Sequence, residues 1–260
     1  MKGVVSKKMK RIFIPTQNPS DWEPFLANPA HWKKGCSAMA TAASWEAANG
    51  EMPKEIVGFL NNSGLETLAG LELLAALPEW KVSFKPEGGT PSRTDVMAFT
   101  RNKNGLVVIA VEAKVKEPFN EKLPQRTARI KELLKVLQLE DLMKHLPDAL
   151  QLEKLTEGPL EIKEIKKLIK PYQLFHRTAS AIKTARDFHA STAIMLVHSF
   201  SETKNHYAKF KSFCDVMGGK EVVSNYDLFV VPRFNGPKLY LGWCQGDSNF
   251  LEVDLDKKHK

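Results

Sequence analysis

The sequence predicts an α/β protein with a mixed central β-sheet flanked by helices, and three observations carry that expectation. Ala193-Ile194-Met195-Leu196-Val197 is apolar at every position, as a central strand covered on both faces requires. Two β-type runs, Asp95–Thr100 and Leu106–Val115, flank Arg101-Asn102-Lys103-Asn104-Gly105, and Asn-Gly between such runs signals a hairpin. Ile130, Leu133, Leu134, Leu137 and Leu142 recur at helical spacing, and a further helix opens at Pro171.

Along the chain, Pro15, Pro19, Pro24 and Pro29 make the first 30 residues an irregular arm, because proline cannot donate to a helix or a ladder. His31–Gly50 is Ala-rich and ends in Asn-Gly, which predicts a helix with a glycine stop. A short helix is expected after Pro53, a third over Leu65–Leu77, and a short strand over Lys81–Phe84. The hairpin follows a turn-rich break at Pro86–Pro91. Residues from about 120 to 170 read as an α-helical insertion: one helix over Arg126–His145, then a charged, Leu-rich stretch to Lys170. Then come a helix from Pro171 to about His189, the buried strand, a helix over Asn205–Met217 stopped by Gly218-Gly219, and a hairpin of Asp227–Phe234 with Lys238–Trp243.

With 43 % hydrophobic and 26 % charged residues over 260 positions, disorder and fibre are excluded, and residues 1–260 are read as one domain. The apolar runs Leu106–Val111 and Ala193–Val197 fall far short of a membrane helix, and no apolar core follows the basic N-terminus, so a cytoplasmic protein is expected. Cys36, Cys214 and Cys244 are odd in number and lack CxxC spacing, which argues for buried or incidental thiols. His189 and His198 read as hydrogen-bonded structural histidines, and Tyr207, Phe210 and Phe213 as a helix's core face. A net charge of +8 suits an anionic partner, of which nucleic acid is the commonest, although runs such as Lys7–Arg11, Lys163–Lys170 and Lys257–Lys260 also read as solvated faces.

The chemistry concentrates in the hairpin. Alternation sends Val107, Ile109, Val111, Ala113 and Val115 one way, and Glu112 and Lys114 the other. A two-residue turn at Asn104-Gly105 puts Asp95 opposite Lys114; one at Lys103-Asn104 puts it opposite Glu112. Either register gathers all three charges. An Asp and a Glu so close repel, and a divalent cation relieves this; Mg²⁺ accepts one or two carboxylates plus water and phosphate oxygens, with Lys beside it to act on the attacking water. That donor set suits phosphodiester hydrolysis.

Asp95 followed by Glu112-Ala113-Lys114 on a hairpin resembles the D…ExK motif of the PD-(D/E)XK nuclease superfamily, the restriction-endonuclease-like fold. Thr94 stands at the place of the motif's Pro, its most variable element. The resemblance covers roughly residues 31–115 and 171–200, and the His31–Gly50 helix with the YQLFHRTASA segment also resembles an uncharacterised bacterial group of such endonucleases. It implies a restriction-endonuclease-like core, a Mg²⁺- or Mn²⁺-dependent hydrolase acting on DNA, and metal ligation by Asp95, Glu112 and the Ala113 carbonyl. Lys114 would act on the water.

The superfamily commonly adds a carboxylate from its first helix. Glu46 and Glu72 both interrupt apolar stripes, and Glu46 is preferred because its surroundings carry the resemblance. Gln173, His176, Arg177 and Ser180 form one polar stripe on the helix after Pro171. Such stripes are ordinarily solvated, but this one holds directional donors in place of Lys and Glu, and the resemblance gives Gln173, His176 and Arg177 a phosphate-holding role. Cutting both duplex strands would suit a homodimer. The rival expectations are an RNA-directed nuclease, a catalytically inactive nucleic-acid-binding protein on the same fold, and a basic structural protein whose Glu112 and Lys114 form a surface pair.

Overall fold

The computed structural model describes residues 16, 18–26, 28–84, 91–120, 127–140, 167–232 and 234–255. The expected turn around Gly88-Gly89, the basic runs Lys7–Arg11 and Lys257–Lys260, and most of the Leu-rich stretch before Lys170 lie outside these residues.

Two 3-10 turns, Pro19–Phe25 and Pro29–His31, precede α1 (Ser37–Ala47) and α2 (Lys54–Asn61). Then come β1 (Glu72–Val82), β2 (Ser92–Asn102), β3 (Gly105–Lys114), α3 (Thr127–Val136), α4 (Tyr172–Asp187) and β4 (Thr192–Ser199). The described chain closes with α5 (Tyr207–Val216), β5 (Lys220–Glu221), β6 (Leu228–Val230), β7 (Lys238–Gln245) and a 3-10 turn at Ser248–Glu252. The seven strands form one mixed sheet in the order β1-β2-β3-β4-β7-β6-β5. Its centre, β3-β4-β7, is parallel, and antiparallel pairs extend it on both sides.

Each face of this sheet carries its own apolar layer. Val108, Ala110, Met195 and Val197 pack with residues of α3, α4 and α5. Val107, Ile109, Val111, Ile194 and Leu196 pack with residues of α1 and α2. Every residue of β4 is buried, as its uninterrupted apolar run requires. The α/β architecture with a mixed sheet flanked by helices is therefore as expected.

The local differences have physical causes. The first long helix begins at Ser37 and not His31, because Gly35 adopts a left-handed φ of 78° that helical propagation cannot pass. The helix expected over Leu65–Leu77 does not form; the chain turns and enters β1 at Glu72. Asn102 holds that turn, donating from Nδ2 to the carbonyls of Glu66, Thr67 and Ala69, and Gly70 takes a φ of 63° at its end. Leu and Ala favour helices by themselves, but pairing from Glu72↔Arg101 to Val82↔Ser92 overrides that preference. The short strand expected from Lys81 is the end of this longer one.

The α3 helix buries Ile130, Leu133 and Leu134, and Leu137 just beyond it, in the cluster shared with α4. The first helix of the expected insertion is thus part of the core. His198 is fully buried in β4 but, among the described residues, neither ring nitrogen has a hydrogen-bond partner, so the expected hydrogen-bonded histidine is an apolar-packed one beside Phe200. Cys214 and Cys244 are buried free thiols, pushed up by burial and hence unreactive, and Phe210 and Phe213 are core residues, both as expected.

Leu134→Ala should cost about 2–5 kcal/mol in urea denaturation, the range for emptying a packed core site; an appended helix would lose under about 1 kcal/mol. Burial lowers the His198 pKa to about 3, so His198 stays neutral when folded and takes up a proton on unfolding below its ordinary 6.5. Its contribution is complete above pH 6.5 and is lost as pH falls towards 3. His198→Leu should flatten the acid side of the stability–pH curve by up to about 1.4 kcal/mol per pH unit.

Candidate active site

The hairpin closes through Lys103-Asn104, with Asn102↔Gly105 as the first pair and Asn104 N–H donating to Asn102 Oδ1 at 2.9 Å. Of the two registers the sequence allows, this one sets Val96 against Val111 and, one residue further, Asp95 opposite Glu112. The backbone ladder ends there. Asp95 Oδ2 accepts from Ala113 N–H at 2.8 Å, so its side chain takes the place of a ladder partner. Phe200 N–H donates to the Lys114 carbonyl at 2.8 Å, so Lys114's backbone faces β4. In a strand, backbone direction alternates, and Ala113 turns both its N–H and its carbonyl towards Asp95.

Glu112 is 1 % exposed and Lys114 4 %, which excludes a surface ion pair. Burying a carboxylate this deeply requires partners for both oxygens. Glu112 Oε1 accepts from Lys114 Nζ and Gln173 Nε2, and Oε2 from Arg177 Nε, each at 2.6 Å. Burial by itself would raise the Glu112 pKa, but Lys114 and Arg177 outweigh it and hold Glu112 below the usual carboxylate range. For Asp95 the balance goes the other way: burial first, then the Glu112 charge, push it well above its ordinary value, and the charges of Arg177 and Lys114 oppose them only in part.

The α4 stripe is not solvated. Gln173 bridges Glu112 to the chain after β3, accepting from Asn120 N–H at 2.9 Å, while its own N–H donates to the Asn120 carbonyl. Arg177 Nη1 reaches Ser92 Oγ at 3.0 Å. Ser180 bonds back to the His176 carbonyl. His176 packs against the rings of Phe84 and Tyr172, at 5.1 Å from each, whereas Gln173 and Arg177 bond Glu112.

Glu46 is not part of this cluster. It lies on α1, which packs on the other face of the sheet, and accepts from Thr16 Oγ1 and Trp22 Nε1 at 2.6 Å each, pinning the N-terminal arm. Glu72, its alternative, is an exposed residue at the start of β1.

The carboxylate that sequence reasoning passed over is Glu79. Pro78 pairs with Val96 and Trp80 with Thr94, so Glu79 stands opposite Asp95, and Glu79-Asp95-Glu112 forms a row across three adjacent strands. Glu79 has a left-handed φ of 51°. Strand alternation resets there: Ala75 and Leu77 pack into the α4-side cluster, and so do Trp80 and Val82. Burial raises Glu79 to about 7, opposed by Arg177 and Arg93. An acidic residue in the run LLAALPEWKV was the available signal, but it falls between the helix expected over Leu65–Leu77 and the strand expected from Lys81.

Among the described residues, no group of three or more His, Cys, Asp and Glu side chains is placed to cage a metal. The donor set instead suits a hard cation that needs one or two carboxylates and completes its shell with water and substrate oxygens. Asp95, held against its electrostatic preference beside Glu112, and the Ala113 carbonyl turned to the same side fit that requirement.

Fold and site together define an α/β protein with a carboxylate–lysine centre at the carboxyl end of its third strand. The chain belongs to the family described as a domain of unknown function (DUF6946), whose model matches residues 15–248. No curated protein and no solved structure matches it.

Glu79's raised pKa also sets a sign. The folded protein binds a proton there more tightly than the unfolded chain does, so the gain is complete below pH 4.5 and vanishes as pH rises through about 7. Glu79→Gln should remove that fall, and melting curves of both proteins between pH 4.5 and 8 would show the wild type losing ground to the variant as pH rises.

Proposed function

We propose that the protein is a divalent-metal-dependent nuclease that hydrolyses DNA phosphodiester bonds on a restriction-endonuclease-like core. The observation that carries this reading is the pairing of Asp95 with Glu112 across the hairpin, with the Ala113 backbone turned to Asp95 and Lys114 against Glu112. Mg²⁺ or Mn²⁺ would be held by Asp95, Glu112 and the Ala113 carbonyl, where it would polarise a phosphoryl oxygen and lower the pKa of bound water. Lys114, buried and cationic, orients the attacking water and stabilises negative charge growing on the phosphate. Gln173 sets the direction of Glu112 from α4. No helix among the described residues is long and apolar enough to cross a membrane. With the net charge of +8, a nucleic-acid substrate and a cytoplasmic setting are consistent with the reading, and a homodimer would suit two-strand cutting.

One observation favours a second reading. Both Glu112 oxygens already have protein partners, as in a site retained for structure on a non-catalytic nucleic-acid-binding protein.

The purified protein and Lys114→Ala, incubated with circular DNA, linear DNA and RNA in Mg²⁺, Mn²⁺ or EDTA, separate the readings. The nuclease should cut DNA only with metal, and Lys114→Ala should lose at least about a hundredfold in rate while still binding DNA. RNA cleavage alone would redirect the substrate class. Salt-sensitive binding that survives EDTA, with no cleavage, would leave the second reading.

A further inference from the structure

Arg177 is the one cationic side chain that the described contacts join to both strands of the hairpin. Its Nε is 2.6 Å from Glu112 Oε2 on β3, and its Nη1 is 3.0 Å from Ser92 Oγ on β2. The charges of Glu112, Asp95 and Glu79 all act on it, and its own charge acts on each of them. Arg177 is 9 % exposed, so these carboxylates are its main counter-charge. Lys114 differs: it shares Oε1 with Gln173 and leaves Oε2 to Arg177.

A divalent cation ligated by Asp95 and Glu112 would therefore meet a positive charge already installed on one of its ligands. Two cations within a few ångströms in a site of low dielectric repel strongly, so a metal at Glu112 and the Arg177 guanidinium on Oε2 oppose each other. The phosphate-holding role expected of Arg177 does not account for this bond, since a guanidinium closed on Glu112 has part of its donor fork already used.

We propose that Arg177 is an internal counter-cation that competes with the divalent metal for Glu112 and so sets the site's metal affinity. The proposal rests on the metal-site reading above. Without metal, Arg177 keeps the buried carboxylates compensated and the sheet closed over them. When metal binds, the guanidinium gives up Glu112 Oε2 while Ser92 remains within its reach, and its released donors become available to a substrate phosphate. Arg177 is in this sense a positioning residue whose partner changes with occupancy.

The test is Mn²⁺ titration by calorimetry, with melting temperature in EDTA and in Mn²⁺, for wild type, Arg177→Met, Arg177→Lys, Ser92→Ala and Asp95→Asn. Removing a charge-assisted bond to the ligand should tighten Mn²⁺ binding at least about tenfold in Arg177→Met, with a lower melting temperature in EDTA that Mn²⁺ restores. Arg177→Lys keeps the charge and should stay near the wild-type affinity. Ser92→Ala loosens Arg177 without removing it and should tighten binding by a few-fold, which keeps the question answerable if Arg177→Met does not fold. Unchanged or weaker binding in Arg177→Met and Ser92→Ala, with wild type binding Mn²⁺ and Asp95→Asn not, overturns the competition and leaves the metal site. Absence of Asp95-dependent Mn²⁺ binding in every variant overturns both.

Discussion

The structure turns on one electrostatic requirement: a carboxylate buried at the centre of the sheet has to be compensated. Glu112 lies in β3 between two apolar layers, where an isolated negative charge would be untenable. Its three partners come from two elements, Lys114 from the same strand, Gln173 and Arg177 from α4. Those bonds fix how α4 lies along the sheet, and α4 in turn fixes α3, which buries its leucines against it. Asn120, tied to Gln173 by two hydrogen bonds, carries the constraint into the chain that leaves β3. Chemistry and architecture therefore share residues here, and a substitution in the cluster acts on both.

Asp95 shows the other side of that requirement. Glu112 is oversupplied with donors, whereas Asp95 receives one backbone N–H and faces a neighbouring negative charge. An environment that pushes two adjacent carboxylates in opposite directions assigns them different behaviour at neutral pH. A cation compensates best where compensation is incomplete, at the Asp95 side of the row, where Glu79 also lies. The deep end is sealed by Arg177 and Lys114.

Much of this was legible in the sequence because it is local. The hairpin follows from Asn104-Gly105 between β-type runs, the central strand from Ala193–Val197, and the joint face of Asp95, Glu112 and Lys114 from alternation alone. What was not legible depends on distant pairing. Leu65–Leu77 reads as a helix by composition, yet its second half becomes a strand because β2 offers it a ladder, and only that ladder sets Glu79 opposite Asp95. Gln173 and Arg177 were visible as unusual donors on a helix face, but their target, Glu112, lies 61 and 65 residues away. Glu46 stood in a region chosen by resemblance, and its two hydrogen bonds to the arm depend on residues that no helical pattern connects to it. His176 shared the stripe's spacing, but its ring packs against Phe84 and Tyr172.

β1 has one more property. Among the described residues it is the outermost strand of the sheet on its side, eleven residues long, with Leu74 exposed, the kind of edge that invites another chain to add a strand. Pro78 and the left-handed Glu79 interrupt it near its middle, one lacking an N–H and the other breaking the extended course of the backbone. The edge is thereby divided into two short segments that no single incoming strand can follow in register. The residue that completes the carboxylate row thus also breaks the regular edge that an added strand would need.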